Sequence, residues 1–382
     1  MGFLIKRILI YITIATVFFG CGKSLIKLVA KKDNDSYSMF GKIPSRAFFA
    51  PVTVSDSVKL KWEADAYGSF TNSSVVVYDK YVFTSDLGGR IFVFNIDDGK
   101  KVGMLKSGES ILGTPLIYKS LLIYAAAEDN KNITDLVYYD YENGKELYNE
   151  EIDDRVISEM LALDDGIIFL TESGRINRYN LNGKSVWQTE TKERARTSPS
   201  LIDDIIVFGN DAGEVLTVDV NDGKIINRFK FDGMFDSSPC LDENSAYLSN
   251  NNGKIYSIDY QTGKINWEYD TGSRIVMTPA VDDANVFVGN LYGSIFSIDK
   301  KNGTLNWKQN YDGLFNATPL ITNNRLIVPD LKRMFYILDK NTGLIKNKYL
   351  LDGRAKFTPV LTDSTLFIGY DRGILRAYEF VY

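Results

Sequence analysis

The 382-residue chain contains no histidine, and this absence removes most enzyme chemistry from consideration. Histidine is the commonest general base and the commonest metal ligand in proteins. A Ser-His-Asp or Cys-His catalytic site is therefore impossible, as is any zinc site that needs an imidazole. The chain also lacks a G-x-x-x-x-G-K-[ST] phosphate loop and the glycine spacing of a dinucleotide-binding loop. A formal net charge of −5 argues against nucleic acid as a partner.

Cysteine is nearly absent too, and the two that occur lie in different contexts. Cys240 stands in an apolar strand, which predicts a small buried hydrophobic residue. Cys21 follows a basic start and an apolar run that is too short for a membrane span, a pattern typical of a secretory signal. A small residue followed by cysteine at its end resembles a lipoprotein cleavage site. We expect residues 1–21 to be a lipoprotein-type signal peptide whose Cys21 is acylated; the alternative is a plain signal anchor or soluble secretion.

Residues 22–55 contain several lysines and a polar run, and they show no strand pattern. We predict a tether here, either touching anionic headgroups or simply solvated.

The remainder, 56–382, is built from units of about forty residues. Each unit opens with proline or its substitute, passes through a polar turn, and alternates apolar with polar residues over two strand-length runs. A fixed period near forty is typical of propellers and solenoids, and the alternation predicts hairpins. The opening position occurs eight times, at residues 74, 115, 160, 199, 239, 279, 319 and 359.

The last unit ends one strand short, and the missing strand is available at residues 58–63. Trp62 there matches the outer-strand position of Trp187, Trp267 and Trp307. We therefore predict an all-β, eight-bladed β-propeller of four-stranded antiparallel blades, closed by the N-terminal strand completing the last blade. Such closure removes exposed sheet edges at the seam.

Charged residues at the turns have two interpretations. Asp219, Asp259, Asp299 and Asp339 each precede a turn glycine by four residues, which indicates turn capping. Arginine instead stands five residues before the opening position in half of the units, in a loop between blades. A partial ring of guanidinium groups could receive carboxylates from a partner or an anionic ligand; ordinary solvated charge is the alternative. The candidate partner-binding residues are Arg155, Arg194, Arg196, Asp236, Arg274 and Arg354.

The segments 257–267 and 297–307 resemble the PQQ-like, quinoprotein-type propeller repeat, and the resemblance extends over residues 56–382. Quinoprotein dehydrogenases and the BamB-type lipoproteins of the outer-membrane β-barrel assembly machinery share this repeat. The lipoprotein-like start, the short tether and the single ring favour the BamB type. Quinoprotein dehydrogenases are longer and typically hold their cofactor with adjacent cysteines and a calcium ion, and this chain has no adjacent cysteine pair.

The resemblance has specific implications for the inter-blade loops. In BamB-like proteins an arginine and nearby acids in these loops contact the barrel-assembly protein BamA. Arg194 matches that arginine and Asp236 matches one acid, whereas Met234 stands where the other acid would be.

By resemblance we expect a non-enzymatic scaffold without cofactor or metal, lipid-anchored at the outer membrane and facing the periplasm. It would assist assembly and insertion of β-barrel outer-membrane proteins, with a BamA-like protein and unfolded outer-membrane chains as partners. The alternatives are an envelope propeller that binds a glycan or small ligand, and a PQQ-dependent dehydrogenase.

Overall fold

The computed structural model describes residues 25–31, 36–128 and 130–382, and here their strands form eight separate four-stranded antiparallel sheets. These sheets are the blades of one ring, so the predicted eight-bladed propeller is confirmed. The predicted signal peptide, including Cys21, lies outside the described residues. Within the described part of the chain, no helix has the length and apolarity needed to cross a bilayer.

Strand β1 (Val58–Asp65) comes first in the chain but belongs to the last blade. Blades 1 to 4 follow in chain order, each from its inner to its outer strand. Their strands are β2 (Val76–Tyr78), β3 (Tyr81–Ser85), β4 (Arg90–Asn95) and β5 (Lys101–Lys106); β6 (Leu116–Tyr118), β7 (Leu121–Glu128), β8 (Ile133–Asp140) and β9 (Lys145–Ile152); β10 (Leu161–Ala162), β11 (Gly166–Leu170), β12 (Arg175–Asn180) and β13 (Ser185–Glu190); and β14 (Ser200–Ile202), β15 (Ile205–Gly209), β16 (Glu214–Asp219) and β17 (Ile225–Lys230).

Blades 5 to 8 repeat the pattern, and a short 3₁₀ turn (Asp371–Gly373) interrupts the last one. Inner strands of neighbouring blades contact one another, which places them around a central channel. The strands are β18 (Cys240–Leu241), β19 (Ala246–Ser249), β20 (Lys254–Ile258) and β21 (Ile265–Asp270); β22 (Ala280–Val281), β23 (Asn285–Gly289), β24 (Ser294–Asp299) and β25 (Leu305–Asn310); β26 (Leu320–Ile321), β27 (Arg325–Pro329), β28 (Met334–Asp339) and β29 (Ile345–Leu350); and β30 (Val360–Thr362), β31 (Thr365–Tyr370) and β32 (Ile374–Phe380).

The ring closes through β1, which pairs antiparallel with β32 as the outermost strand of blade 8. Val58 lies opposite Phe380, and Trp62 lies opposite Ala377. The predicted closure is therefore confirmed. Because the two ends of the propeller sequence share one sheet, no blade can separate at the seam without breaking this ladder.

The turn before each outer strand follows the predicted capping chemistry. In blade 6 the Asp299 carboxylate accepts the Lys301 N–H at 3.0 Å, and the Asp299 carbonyl accepts the Gly303 N–H at 2.9 Å. Gly303 has φ +75°, a left-handed conformation that glycine adopts without strain. The same bonds occur at Asp219, Asp259 and Asp339. The four aspartates therefore cap turns, as the sequence predicted.

Tryptophans on outer strands join neighbouring blades at four of the eight junctions. Trp307 of blade 6 is buried, and its indole N–H donates to the Lys340 carbonyl of blade 7 at 2.9 Å. Its ring lies against Gly343, where a Cβ atom would come within 2.6 Å of it. Glycine therefore serves both the turn and the close approach of the indole. The same arrangement joins Trp62 to Gly99, Trp187 to Gly223 and Trp267 to Gly303.

Blade 1 has Gly103 at the tryptophan position, and a different part of the chain fills the gap. Ile26 lies against Gly103 and is fully buried between blades 1 and 2. Leu28 is also buried, and its N–H donates to the Tyr141 carbonyl at 2.8 Å. Full burial of two such side chains contributes about 3–6 kcal/mol before ordering costs. We call residues 25–31 the clip.

The described part of the predicted tether is not a solvated linker. Residues 36–54 pass along the inner strands and cross the central channel, with Phe40, Arg46 and Phe48 buried. Inner-strand N–H groups bind its carbonyls at equivalent positions, two residues after each opening proline. The donor and acceptor pairs, at 2.9–3.0 Å, are Ile117 and Ser38, Leu201 and Pro44, Leu241 and Ser45, Val281 and Ala47, and Ile321 and Phe48. We call residues 36–54 the plug.

Strand direction alternates within each blade, so the two faces of the ring carry different connections. Loops from one blade to the next share a face with the turns between second and third strands. We call this the arginine face, after Arg155, Arg194, Arg196, Arg274 and Arg354. The turns between third and fourth strands lie on the opposite face, among them the turn of Gly144 beside Leu25 and Lys27 of the clip.

Candidate functional site

The arginine loops are held rigidly by their own backbone. In each loop the arginine carbonyl accepts a hydrogen bond from the turn between the second and third strands of the following blade. The same bond forms at Met234 and Leu314, so it fixes the loop backbone whichever side chain stands there. The pairs are Arg155 with the Glu172 N–H (2.7 Å), Arg194 with Asp211 (2.8 Å), Arg274 with Leu291 (3.0 Å) and Arg354 with Asp371 (3.0 Å).

The arginine side chains are paired with carboxylates of the same face. Arg155 and Arg194 both contact Glu172, the former at 3.6 Å between Nη1 and Oε2. Arg354 contacts Asp371 at 2.6 Å on blade 8, apart from the others. The side chains of Arg194 and Arg354 are 61% exposed. The guanidinium groups of the predicted partial ring are thus partly exposed and already paired with carboxylates of the protein.

Asp236 links two further arginines near the channel. Its carboxylate lies 2.7 Å from Arg274 Nη2 and 3.8 Å from Arg196 Nη2. Arg196 also bonds Asp211, and this hydrogen bond raises the pKa of the guanidinium. Met234 Sδ lies 2.7 Å from Arg196, where an acid would have added a third carboxylate. The structure therefore brings Arg196, Asp236 and Arg274 together, as one cluster.

These ion pairs can exchange partners at low cost. Exposed pairs contribute only about 0–1 kcal/mol, because water solvates both charges well. An incoming carboxylate could therefore take an arginine from Glu172 or Asp211, with backbone bonds keeping the loop in place. Sequence reasoning missed both carboxylates, although an acid stands seventeen residues after Arg155, Arg194 and Arg354, and this spacing could have found them.

A central cavity of about 350 Å³ opens among these loops. Phe40 of the plug lines it, and so do hydroxyl residues that precede the opening prolines, such as Ser238 and Thr318. Two buried acceptors in its lining, Asn316 Oδ1 and Asp236 Oδ1, lack a hydrogen-bond donor within the described residues. The cavity therefore offers acceptors to a ligand that brings donors.

A buried charged pair lies where the plug meets this cavity. Arg46 is fully buried and donates to the carbonyls of Phe40 (3.1 Å), Glu159 (2.9 Å) and Pro199 (3.0 Å). The Glu159 carboxylate accepts the Thr114 N–H at 2.7 Å. Burial raises the pKa of Glu159 to about 7, although Arg46 opposes the shift. Burial likewise lowers the pKa of Arg46 to about 10, against the attraction of Glu159. Sequence reasoning missed this pair.

The residues at the centre of the ring do not fit the quinone cofactor of the related dehydrogenases. The plug crosses the channel, and Arg46 is bonded there to the inner rim. Cys240 is the single cysteine among the described residues, and burial raises the pKa of its thiol. Across the same residues, no three carboxylate or thiol groups are grouped as metal ligands. We therefore derive no step through a quinone.

Solved structures of quite different proteins have the same architecture. BamB from Moraxella catarrhalis superposes with a TM-score of 0.72 at 16% identity, covering 85% of this chain and 100% of its own. The computationally designed Ika8 protein gives 0.73 at 13% identity, with coverages of 84% and 99%. The quinohemoprotein alcohol dehydrogenase ADHIIG from Pseudomonas putida HK5 gives 0.77 at 11%, with coverages of 91% and 80%. At such identities the likeness shows the fold alone.

Sequence comparison, rather than structural similarity, assigns the chain to a family. Among curated proteins no sequence matches. The family described as outer membrane protein assembly factor BamB matches residues 53–269 and 252–379, which is most of the chain. On this match, the chain belongs to the BamB family of outer membrane protein assembly factors.

Proposed function

We propose that this chain is a non-enzymatic scaffold that assists assembly and insertion of β-barrel outer-membrane proteins. Membership of the BamB family carries the proposal. The fold adds a rigid face whose arginine loops are fixed by backbone hydrogen bonds while their side chains stay half-exposed. Acylation of Cys21 would hold the scaffold at the outer membrane, facing the periplasm.

The proposed contact with a BamA-like partner is the arginine face. Arg194 is the most accessible arginine of the blade 3 and 4 group, and Arg196, Asp236 and Arg274 lie beside it as one cluster. A partner carboxylate would replace Glu172 at Arg194 in a charge-assisted hydrogen bond. Arg155 and Arg354 extend the same face on blades 3 and 8. Unfolded outer-membrane chains would instead add to the free edges of outer strands.

The test is purification of the tagged protein from its own envelope, with co-purifying proteins identified by mass spectrometry. Arg194→Glu should abolish recovery of a β-barrel assembly protein. Lys59→Glu is the matched control, because Lys59, 66% exposed on the outer strand β1, forms an ion pair with Glu379 away from the arginine loops. The double variant Arg194→Glu/Glu172→Arg restores a local ion pair with reversed polarity. If it also restores recovery, Arg194 acts on loop structure, and direct contact with the partner is refuted.

A second candidate function is binding of a small neutral ligand in the central cavity. The unpartnered acceptors Asn316 Oδ1 and Asp236 Oδ1 favour it, because sugar hydroxyls would supply donors. Titration calorimetry with glucose and N-acetylglucosamine should then show saturable binding that Asn316→Leu removes. No heat from either sugar counts against this function and leaves the scaffold proposal intact.

A further inference from the structure

The clip fixes where the folded domain begins relative to the N-terminus. Ile26 and Leu28 are buried, and the Ile26 carbonyl accepts the Tyr139 hydroxyl at 2.9 Å. Lys31 N–H bonds the Asp79 carboxylate at 3.1 Å. The chain is therefore attached to blades 1 and 2 already at its first described residues, rather than at β1.

This attachment leaves a very short connection to Cys21. Leu25 is four residues after Cys21, and an extended chain spans at most about 3.6 Å per residue, or about 14 Å. The inference rests on the proposed acylation of Cys21. Given that anchor, the rim of blades 1 and 2 on the face opposite the arginines lies next to the bilayer surface. Strands of six residues span about 20 Å, so the arginine face lies further away by that distance.

The side chains exposed at this rim suit a lipid surface. Leu25 is 50% exposed and Val29 is 82% exposed, although Ile26 and Leu28 between them are buried. Lys27 and Lys31 are exposed in the same clip, and Lys100 stands on the neighbouring turn of blade 1. Apolar side chains flanked by lysines match the interface of an anionic bilayer.

We propose that the clip and the adjoining rim of blades 1 and 2 form a bilayer-contacting edge that directs the arginine face away from the membrane. The partner of this edge is an anionic phospholipid surface. The orientation follows from the docked clip, because a free linker of thirty residues would let the ring turn in any direction.

The experiment uses acylated full-length protein in phosphatidylethanolamine–phosphatidylglycerol vesicles that contain a headgroup-nitroxide lipid. Single cysteines carry a bimane label, and Cys240 stays unlabelled because it is buried. Lys100→Cys reports on the rim of blade 1, and Lys224→Cys reports on the equivalent turn of blade 4. Both lysine side chains are 81% exposed, so the labels are matched. Leu87→Cys, 41% exposed, reports on the arginine face of blade 1.

We expect nitroxide to quench the label at position 100 several-fold more than the labels at 224 and 87. Equal quenching at the three sites, with the acyl group confirmed on Cys21 by mass spectrometry, overturns the orientation and leaves the scaffold proposal standing. Absence of the acyl group overturns the anchor and this inference together.

A second variant tests whether the clip causes the orientation. Gly103→Trp places an indole where blades 3, 5, 6 and 8 have one, and a Cβ there already lies 3.0 Å from Ile26 Cγ1. The clip should be displaced while the acyl group and the blades remain. We expect the contrast between positions 100 and 224 to disappear. Its persistence in acylated, folded Gly103→Trp protein would show that something else orients the ring.

Discussion

Replacing Glu159 by glutamine should change how the stability of the propeller depends on pH. Glu159 is buried where the plug meets the central cavity, and burial raises its pKa from the ordinary 4.5 to about 7. The folded state therefore holds this proton more tightly than the unfolded state does. Between pH 4.5 and 7 the folded protein binds more protons here, so the free energy of unfolding falls as pH rises.

The size of the effect follows from the pKa difference. One pKa unit corresponds to about 1.4 kcal/mol, so this carboxyl group costs the folded state about 3 kcal/mol above pH 7. The cost is absent below pH 4.5, where the group is protonated in both states. Glutamine keeps the shape and an acceptor for the Thr114 N–H but cannot ionise. Glu159→Gln should therefore lack this component of the pH profile.

Urea unfolding at several pH values between 4 and 8 measures the difference. We expect the unfolding free energy of wild type minus that of Glu159→Gln to decrease by about 3 kcal/mol from pH 4.5 to 7. Glu190→Gln, whose side chain is 66% exposed, is the control and should follow wild type. If the difference in unfolding free energy between wild type and Glu159→Gln stays constant across this range, the pKa of Glu159 is not raised. Burial of this carboxyl group beneath the plug would then be refuted.

Further predictions concern the blade junctions, the clip and the thiol. Trp307→Ala should lose about 3–5 kcal/mol in urea unfolding, because it removes a buried indole at a junction between blades. Leu305→Ala, 42% exposed on the same strand, should change stability by less than about 0.5 kcal/mol, and equal losses would contradict the junction role. Ile26→Asp should make the N-terminal segment sensitive to protease, because a carboxylate cannot stay buried at this position. Val29→Asp is the control and should not, because Val29 is 82% exposed. Equal cleavage of the two variants would mean that the clip is not docked. Cys240 should resist maleimide at pH 7 until urea unfolds the protein, because burial raises its thiol pKa, and rapid labelling of native protein would be incompatible with this position.

The sequence by itself determined the ring. Proline positions, turn glycines and alternating strands are local signals that recur in register, so eight blades and the capping role of Asp299 could be read without coordinates. The role of Trp62 in closing the ring could be inferred because it matches the tryptophans of complete units. Repetition makes such inferences strong, since each unit tests the others.

The roles of residues 25–31 and 36–54 became clear only from the fold. Their apolar residues follow no strand period, because the clip fills a gap left by Gly103 and the plug follows the curve of the inner rim. The same holds for the candidate site. Spacing predicted that Arg194 would lie in a loop between blades, but its pairing with Glu172 depends on a turn of the preceding blade that folds back onto the loop. Contacts between residues that are distant in sequence and do not repeat leave no local signal. Here such contacts pair the arginines of the arginine face, place the plug at the central cavity and fix where the N-terminal segment leaves the ring.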